Sequence, residues 1–352
     1  MLIFDAHLDL SMNAMEWNRD LRIPLEELNS REKGMTDKPD RAKATVSFPE
    51  MNKGNIGLCV GTLIARYVKP GSAIPGWYSQ EQAWSQVQGQ VSWYKSMEKV
   101  GFLKQLKTAQ SVRKQLEKWH PDQTEIGYVL SLEGADSIVD LEHLETLHQQ
   151  GLRAIGMSHY GPGVYAFGTD SEGDLPEEGK SLIKKIDELG IILDATHLSD
   201  KCFYQALESF EGAVWASHHL CRSITPHNRQ LSDDMIRLLL ERDAKIGMAL
   251  DAWMIVPNWV RGQSTPKSAE VNIDKVIDHM KHIANIAGST KDIMIGSDLD
   301  GAFGTEQTPQ EIKTIANLQD FIPAMQKRGF SETEIEGIMW KNGTDFLIQN
   351  LP

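Results

Sequence analysis

Six short apolar stretches of this 352-residue sequence end in residues that can bind a metal ion or move a proton. They are Asp5-Ala6-His7-Leu8-Asp9, Ser131-Leu132-Glu133-Gly134, Ser158-His159, Asp194-Ala195-Thr196-His197, Ser217-His218-His219 and Gly296-Ser297-Asp298-Leu299-Asp300-Gly301. The chain has 11 histidines, and His7, His159, His197, His218 and His219 all fall in these places. His7 and Asp9 are two apart, so on an extended strand their side chains share one side. Imidazole with carboxylate is a normal ligand set for Zn²⁺. Glu133, from another stretch, suits a bridge between two ions. Asp298 completes the set of the first ion, and His197 with His218 that of the second. Two ions about 3.5–4 Å apart share a water and lower its pKa toward 7, which supplies hydroxide for attack on a carbonyl.

Each residue alone has an ordinary structural role. A His-x-Asp pair caps turns, a lone Glu sits at helix N-termini, and strand-end histidines bond to backbone. Their shared position, always just after an apolar run, argues for one concentric site. His219, next to His218, is expected to point elsewhere. His120, His143, His148, His279 and His282 fall in helices or connecting loops and are expected to be solvated.

Eight apolar runs read as strands: 2–6, 57–64, 127–131, 154–158, 191–195, 213–217, 245–250 and 292–296. Near-continuous apolar character suits strands buried on both faces. Between them lie helical stretches at 111–119, 199–210, 232–242, 272–287 and 331–340. The fourth has Ile273, Val276, Ile277, Met280 and Ile283 on one face, and the last opens with a Ser-x-x-Glu capping box. Alternating strands and helices give an α/β fold, with a (β/α)₈ barrel favoured over an open doubly wound sheet. In such barrels function sits at the C-terminal strand ends, where the six motifs lie. The expected organisation is one hydrolase barrel over residues 1–352 with two insertions. Residues 18–50 read as a long loop over the mouth. Residues 67–97 start as a Pro/Gly loop and turn helical near Glu81, and their aromatic residues either pack the insertion or wall a pocket.

The formal charge is −13, a poor match for nucleic acid or anionic lipid. No membrane-length apolar run and no signal peptide is evident, so no membrane anchor is expected. Cys59, Cys202 and Cys221 have no zinc-ribbon or redox spacing and read as small buried hydrophobes. The cytoplasm is the simplest compartment, with the periplasm left open.

The motifs Asp5–Leu10, Leu132-Glu133-Gly134, Asp194–His197, Ser217-His218 and Ile295–Gly301 resemble, in order and spacing, those of the membrane (renal) dipeptidase family of metallopeptidases. The resemblance runs over nearly the whole chain. It implies a (β/α)₈ barrel with two Zn²⁺ ions per chain, Mn²⁺ or Co²⁺ being able to substitute. It implies that His7, Asp9 and Asp298 bind the first ion, His197 and His218 the second, and that Glu133 bridges them. His159 resembles the histidine that contacts the scissile carbonyl, and Arg229 the arginine that binds the dipeptide's carboxylate. Glu133, Asp298 and His159 are then the catalytic residues, and His159 and Arg229 bind substrate. The implied activity is dipeptide hydrolysis by a metal-bridging hydroxide, with tolerance of a D-residue at the C-terminal position. The oligomeric state is left between monomer and homodimer. Leu8 and His219 depart from the usual pattern without removing a ligand.

Two other functions compete. An amidohydrolase-type enzyme acting on another amide, lactone or cyclic substrate usually shows His-x-His on the first strand and often a carboxylated lysine bridge. Here the first strand has His-x-Asp, and Glu133 is the bridge candidate. A catalytically silent scaffold should have lost a ligand or the substrate arginine, and this chain keeps them.

Overall fold

The computed structural model describes residues 1–352. Nine parallel strands occur: β1 (Ile3–Leu8), β2 (Ile56–Leu63), β3 (Leu103–Gln105), β4 (Ile126–Leu132), β5 (Leu152–Gly156), β6 (Ile192–Asp194), β7 (Val214–His219), β8 (Lys245–Met248) and β9 (Ile293–Ile295). They pair in the order β2-β1-β9-β8-β7-β6-β5-β4-β3, and β2 also pairs with β4. That last pairing closes the sheet, so the structure is a (β/α)₈ barrel and the open sheet is excluded. The eight barrel strands match the eight apolar runs of the sequence. The ninth, β3, lies beside the first half of β4 at Leu103↔Ile126, before β5 takes the second half at Leu130↔Leu152. Its three residues, two of them polar, are too short for a hydrophobic signal.

The strand side chains divide between two cores. Phe4, Leu58, Val129, Ala154, Ile192, Trp215 and Met294, from seven strands, join one cluster with Phe346, Leu347 and Leu351. Residues from strands so far apart in the sheet can meet only inside the barrel. The C-terminal helix Asn342–Asn350 plugs its lower end, with Phe346 stacked on Trp215. The outward strand residues join a larger cluster with the helices. Gly247 and Gly296 also face inward. A Cβ on either would come within 1.7 or 1.8 Å of the Ser217 carbonyl oxygen. Glycine there lets β8 and β9 close onto β7 directly beneath His218.

Several expectations change. Residues 18–50 are not simply a loop, since they contain helices Leu25–Arg31 and Phe48–Lys53. Buried ion pairs hold them: Arg19 to Glu32 and Asp40, and Arg41 to Glu32. The helix expected at 331–340 runs Glu332–Glu336, then through a π turn at Gly337–Lys341 into the C-terminal helix. Helices Leu141–Gln150 and Glu177–Glu188 were not anticipated. His279 is not solvated. It is fully buried, accepts from the Cys221 backbone N–H and bonds the Ile255 carbonyl. It lies three residues after Val276 and four before Ile283, on the buried face of its helix. All three cysteines are free and buried. No helix is long and apolar enough to cross a membrane.

In the second insertion, Ser79 caps helix Gln80–Lys99. Its aromatic residues divide between both readings. Tyr94 stacks on the barrel residue Tyr128, and Trp93 on Phe48. Trp77 instead lines a cavity at the barrel mouth.

Candidate active site

The six motif stretches converge at the C-terminal rim, and one oxygen is their hub. Glu133, the residue after β4, places Oε1 3.5 Å from His7 Nε2, 3.3 Å from His197 Nε2, 3.4 Å from His218 Nε2 and 3.7 Å from His159 Nε2. Asp9 and Asp298 also approach His7 Nε2, at 3.7 and 3.9 Å. Three overlapping groups could each hold an ion: His7 with Glu133 and His218; Glu133 with His159 and His197; and His7 with Asp9 and Asp298. Glu133 links the first two and His7 links the first and third. His159, expected to contact substrate, thus lies as close to the hub as the expected ligands do.

The backbone reaches this arrangement through local irregularities. The register of β1 against β2 shifts between Asp5 and Leu8, and that of β7 against β8 between Ala216 and His219. Such bulges re-aim side chains. His197, Asp298, Asp300 and Ala302 have positive φ, at 68°, 56°, 63° and 64°. Non-glycine residues there carry strain, least for Asp and His and more for Ala. Gly301 has no Cβ for a reason, since one would meet Asp298 Oδ1 at 2.0 Å.

Buried carboxylates outside the hub tie the strand ends together. Asp5 accepts from the Ser297 and His7 backbone N–H groups, and Asp194 from those of Thr196 and Ser217. Asp300 accepts from Thr45 and Val46 of the first insertion. The outer nitrogens of His197 and His218 are also anchored. Thr169 Oγ1 is 2.9 Å from His197 Nδ1, and Ser217 Oγ is 3.0 Å from His218 Nδ1. Fixing the outer nitrogen turns the inner one toward the hub, as ligand histidines require.

The charge balance calls for a cation. Burial pushes Asp9 up to about 7 with help from Glu133, and pushes Asp298 well above the usual carboxylate range. Burial alone would lower His7, but Glu133, Asp9 and Asp298 overcome it and raise the imidazole to about 10. Burial lowers His197 to about 3, and holds His159 and His218 well below the usual histidine range. Three neutral imidazoles and the single charged one of His7 crowd around three buried acids, a donor set that a divalent cation would satisfy in place of the His7 proton. His7 Nε2 is buried without a hydrogen-bond partner, and His218 Nε2 lies 3.2 Å from His197 Nε2. Two imidazole nitrogens this close, both turned to one carboxylate oxygen, suit divalent cations, and the residues present fit them.

The membrane dipeptidase family, peptidase family M19, matches residues 1–345. The chain belongs to the membrane dipeptidase family. An uncharacterized dipeptidase of Schizosaccharomyces pombe is 25% identical over 222 residues, 62% of this chain and 51% of that protein. The chain spans about half the length of that relative and of the next, the dipeptidase tcpJ of Claviceps purpurea. Among solved structures, a metallo peptidase from Rhodobacter sphaeroides, liganded with a phosphinate mimic of the dipeptide L-Ala-D-Ala, superposes with a TM-score of 0.80. It is 22% identical, with 100% of this chain and 99% of that chain covered. The probable dipeptidase PvdM from Pseudomonas aeruginosa gives 0.75 at 16% identity, over 99% of this chain and 96% of that one.

Above the hub of this family member lies a cavity of about 560 Å³ lined by Asp9, Glu133, His159, His197 and Asp298. Arg229 lies in its wall almost wholly buried. It donates from one terminal nitrogen to the His218 carbonyl (2.7 Å) and sets the other 3.1 Å from His219 Nδ1. His219 thus points away from the hub, as its adjacency to His218 suggests, and braces Arg229. Three lining residues went unnoticed in the sequence. Asp251 follows β8 and accepts from Gln307, Arg261 pairs with Asp251 at 3.4 Å, and Arg66 follows β2. A charged residue one to three places past an apolar run was a usable signal for all but Arg261.

Proposed function

We propose that this protein is a zinc-dependent dipeptidase acting through one hydrolase barrel spanning residues 1–352. The observation that carries the reading is the hub, a buried carboxylate oxygen within 3.7 Å of four imidazoles, with two more carboxylates beside His7. His7, Asp9 and Asp298 would hold one divalent ion and His197 with His218 a second, Glu133 serving both. Mixed imidazole and carboxylate donors favour Zn²⁺, with Mn²⁺ or Co²⁺ as substitutes. When bound, two such ions would polarise the scissile carbonyl and bring the pKa of a water toward neutrality.

The chain's own groups do the rest. Arg229 binds the substrate's C-terminal carboxylate, which limits the substrate to one residue beyond the scissile bond. His159 Nε2 donates to the oxygen of the carbonyl as negative charge develops there. Asp298, at the hub beside the attacking water's position, takes a proton from that water and gives it to the leaving amine. Hydroxide adds to the carbonyl carbon, the C–N bond breaks, and the amine leaves with that proton. Family membership, and a structural neighbour liganded with an L-Ala-D-Ala mimic, support tolerance of a D-residue at the C-terminal position.

The test is a dipeptide library offered to metal-reconstituted protein, with both stereoisomers at each position and the bound ions counted. Hydrolysis of L,L and L,D dipeptides with two ions per chain is expected. Turnover of lactones or cyclic amides in place of dipeptides would move the protein to an amidohydrolase-type reaction.

A further inference from the structure

Three arginines line the cavity, and two have partners in the protein. Arg229 is held by the His218 carbonyl and His219, and Arg261 pairs with Asp251 and lies 5.5 Å over the Trp253 ring. Arg66 is different. Its carbonyl accepts from Trp77, fixing the backbone at the root of the 67–77 loop, but its guanidinium has no protein hydrogen-bond acceptor. Glu133, Glu16 and Asp136 act on it only from a distance, and burial disfavours its charge. Glu16 meets Gln86 and feels the fields of Lys38 and Arg66, without a salt-bridge contact to Arg66. A half-buried guanidinium with no acceptor in the protein, in the wall of a cavity, is a binding group open to an anion.

Position narrows the anion. Around the closed ring β1, β2, β4, β5, β6, β7, β8, β9, the strand preceding Arg66 (β2) lies opposite the strand preceding Arg229 (β7), four steps away in either direction. The hub lies between them. With the substrate's C-terminal carboxylate on Arg229 and the scissile carbonyl at the hub, the opposite wall faces the N-terminal residue. That residue's amino group is cationic and is repelled by Arg66, so its side chain is what faces the guanidinium.

We propose that Arg66 binds a side-chain carboxylate, making the protein selective for dipeptides that begin with Asp or Glu. This rests on the dipeptidase reading above and adds the substrate class to it. Arg66 is the specificity determinant, and the Trp77 and Ile74 side chains beside it form the apolar part of the same subsite.

The experiment compares kcat/KM for Glu-Ala, Ala-Ala, Lys-Ala and Ala-Glu with metal-loaded wild type, Arg66→Gln and Arg66→Glu. Ion content and melting temperature are checked for each variant. Wild type should prefer Glu-Ala over Ala-Ala by roughly 10- to 100-fold, the worth of hydrogen bonds to a charged group. Arg66→Gln should collapse that ratio toward one, and Arg66→Glu should reverse it in favour of Lys-Ala. Equal turnover of Glu-Ala and Ala-Ala by wild type would overturn the proposal and leave the dipeptidase reading standing. So would a preference for Ala-Glu alone, or an unchanged Glu-Ala to Ala-Ala ratio in Arg66→Gln. Failure to cleave any dipeptide would remove both.

Discussion

Arg229→Lys isolates the group that is proposed to read substrate length. A guanidinium has five N–H donors. In this structure the two terminal nitrogens reach the His218 carbonyl at 2.7 Å and His219 Nδ1 at 3.1 Å. Two donors are therefore spent on the protein, and about three remain for a carboxylate. An ammonium has three donors in all and no fork, so it cannot brace the β7 end and pair bidentately at once. The loss is one charge-assisted hydrogen bond or more, roughly 1.5–3 kcal/mol. KM for a free-acid dipeptide should rise about 10- to 100-fold, with a smaller change in kcat. Arg229→Ala should be worse, because it also leaves the buried His218 carbonyl without its donor. The assay is steady-state kinetics on Ala-Ala and its C-terminal amide, with ion content measured in parallel. Wild type should not process the amide efficiently. If it does, or if Arg229→Lys lowers both substrates by the same factor, Arg229 does not read the carboxylate.

Three further outcomes follow from the same geometry. Glu133→Gln keeps the shape of the hub and removes its charge, so elemental analysis should find both ions depleted and turnover lost; full ion content with near-normal rate would end the bridging assignment. His159→Ala should lower kcat about 10²–10³-fold with ions retained, the usual cost of losing an oxyanion donor, whereas loss of an ion would make His159 a ligand. Glu32→Gln should destabilise the fold by about 3 kcal/mol, because it breaks buried pairs to Arg19 and Arg41. The Glu32 carboxyl is held below its usual range, its bonds to Arg19 and the Ala42 N–H overcoming burial. Its contribution is therefore complete above the unfolded carboxylate pKa and disappears as pH falls through the folded value. Acid melting curves of the variant should show a shallower limb, and an unchanged limb would refute the assignment.

The hub was legible because its members are chemically distinctive and each follows an apolar run. The strand code marks where a chain reaches the rim, and few residue types there bind metal. The barrel was legible for the same reason, its strands being apolar on both faces. What failed to show was whatever depends on which strands become neighbours. Arg66 carries only the signal of a charge just past an apolar run until closure between β2 and β4 puts it across the mouth from Arg229. Asp251 has no motif, and its importance comes from Gln307 and Arg261, residues 56 and 10 positions away. His279 shows the opposite failure. Its helical periodicity places it on the apolar face, and its polarity alone points to solvent.

The division of labour between barrel and loops explains why the ion cluster is easier to read than the substrate. Barrel strands deliver the donors, but three of them or their neighbours are left in strained backbone, at His197, Asp298 and Asp300. That strain persists only where other contacts over-determine it. Thr169, from the loop after β5, anchors the His197 ring. Thr45 and Val46 hold Asp300, and Arg19 stands 3.7 Å from it, so the first insertion fixes the chain just past Asp298. The second insertion contributes Ile74, Pro75 and Trp77 to the cavity wall and carries Arg66 at its root. A relative could exchange the 67–77 loop without disturbing any hub contact. It could not exchange the 18–50 segment so freely, because the Asp300 pins come from there. Ion binding is therefore coupled to the first insertion, which adds only Lys38 to the cavity wall, and substrate choice chiefly to the second. Variation in the first should appear as altered metal content and stability, and variation in the second as altered side-chain preference at constant metal content.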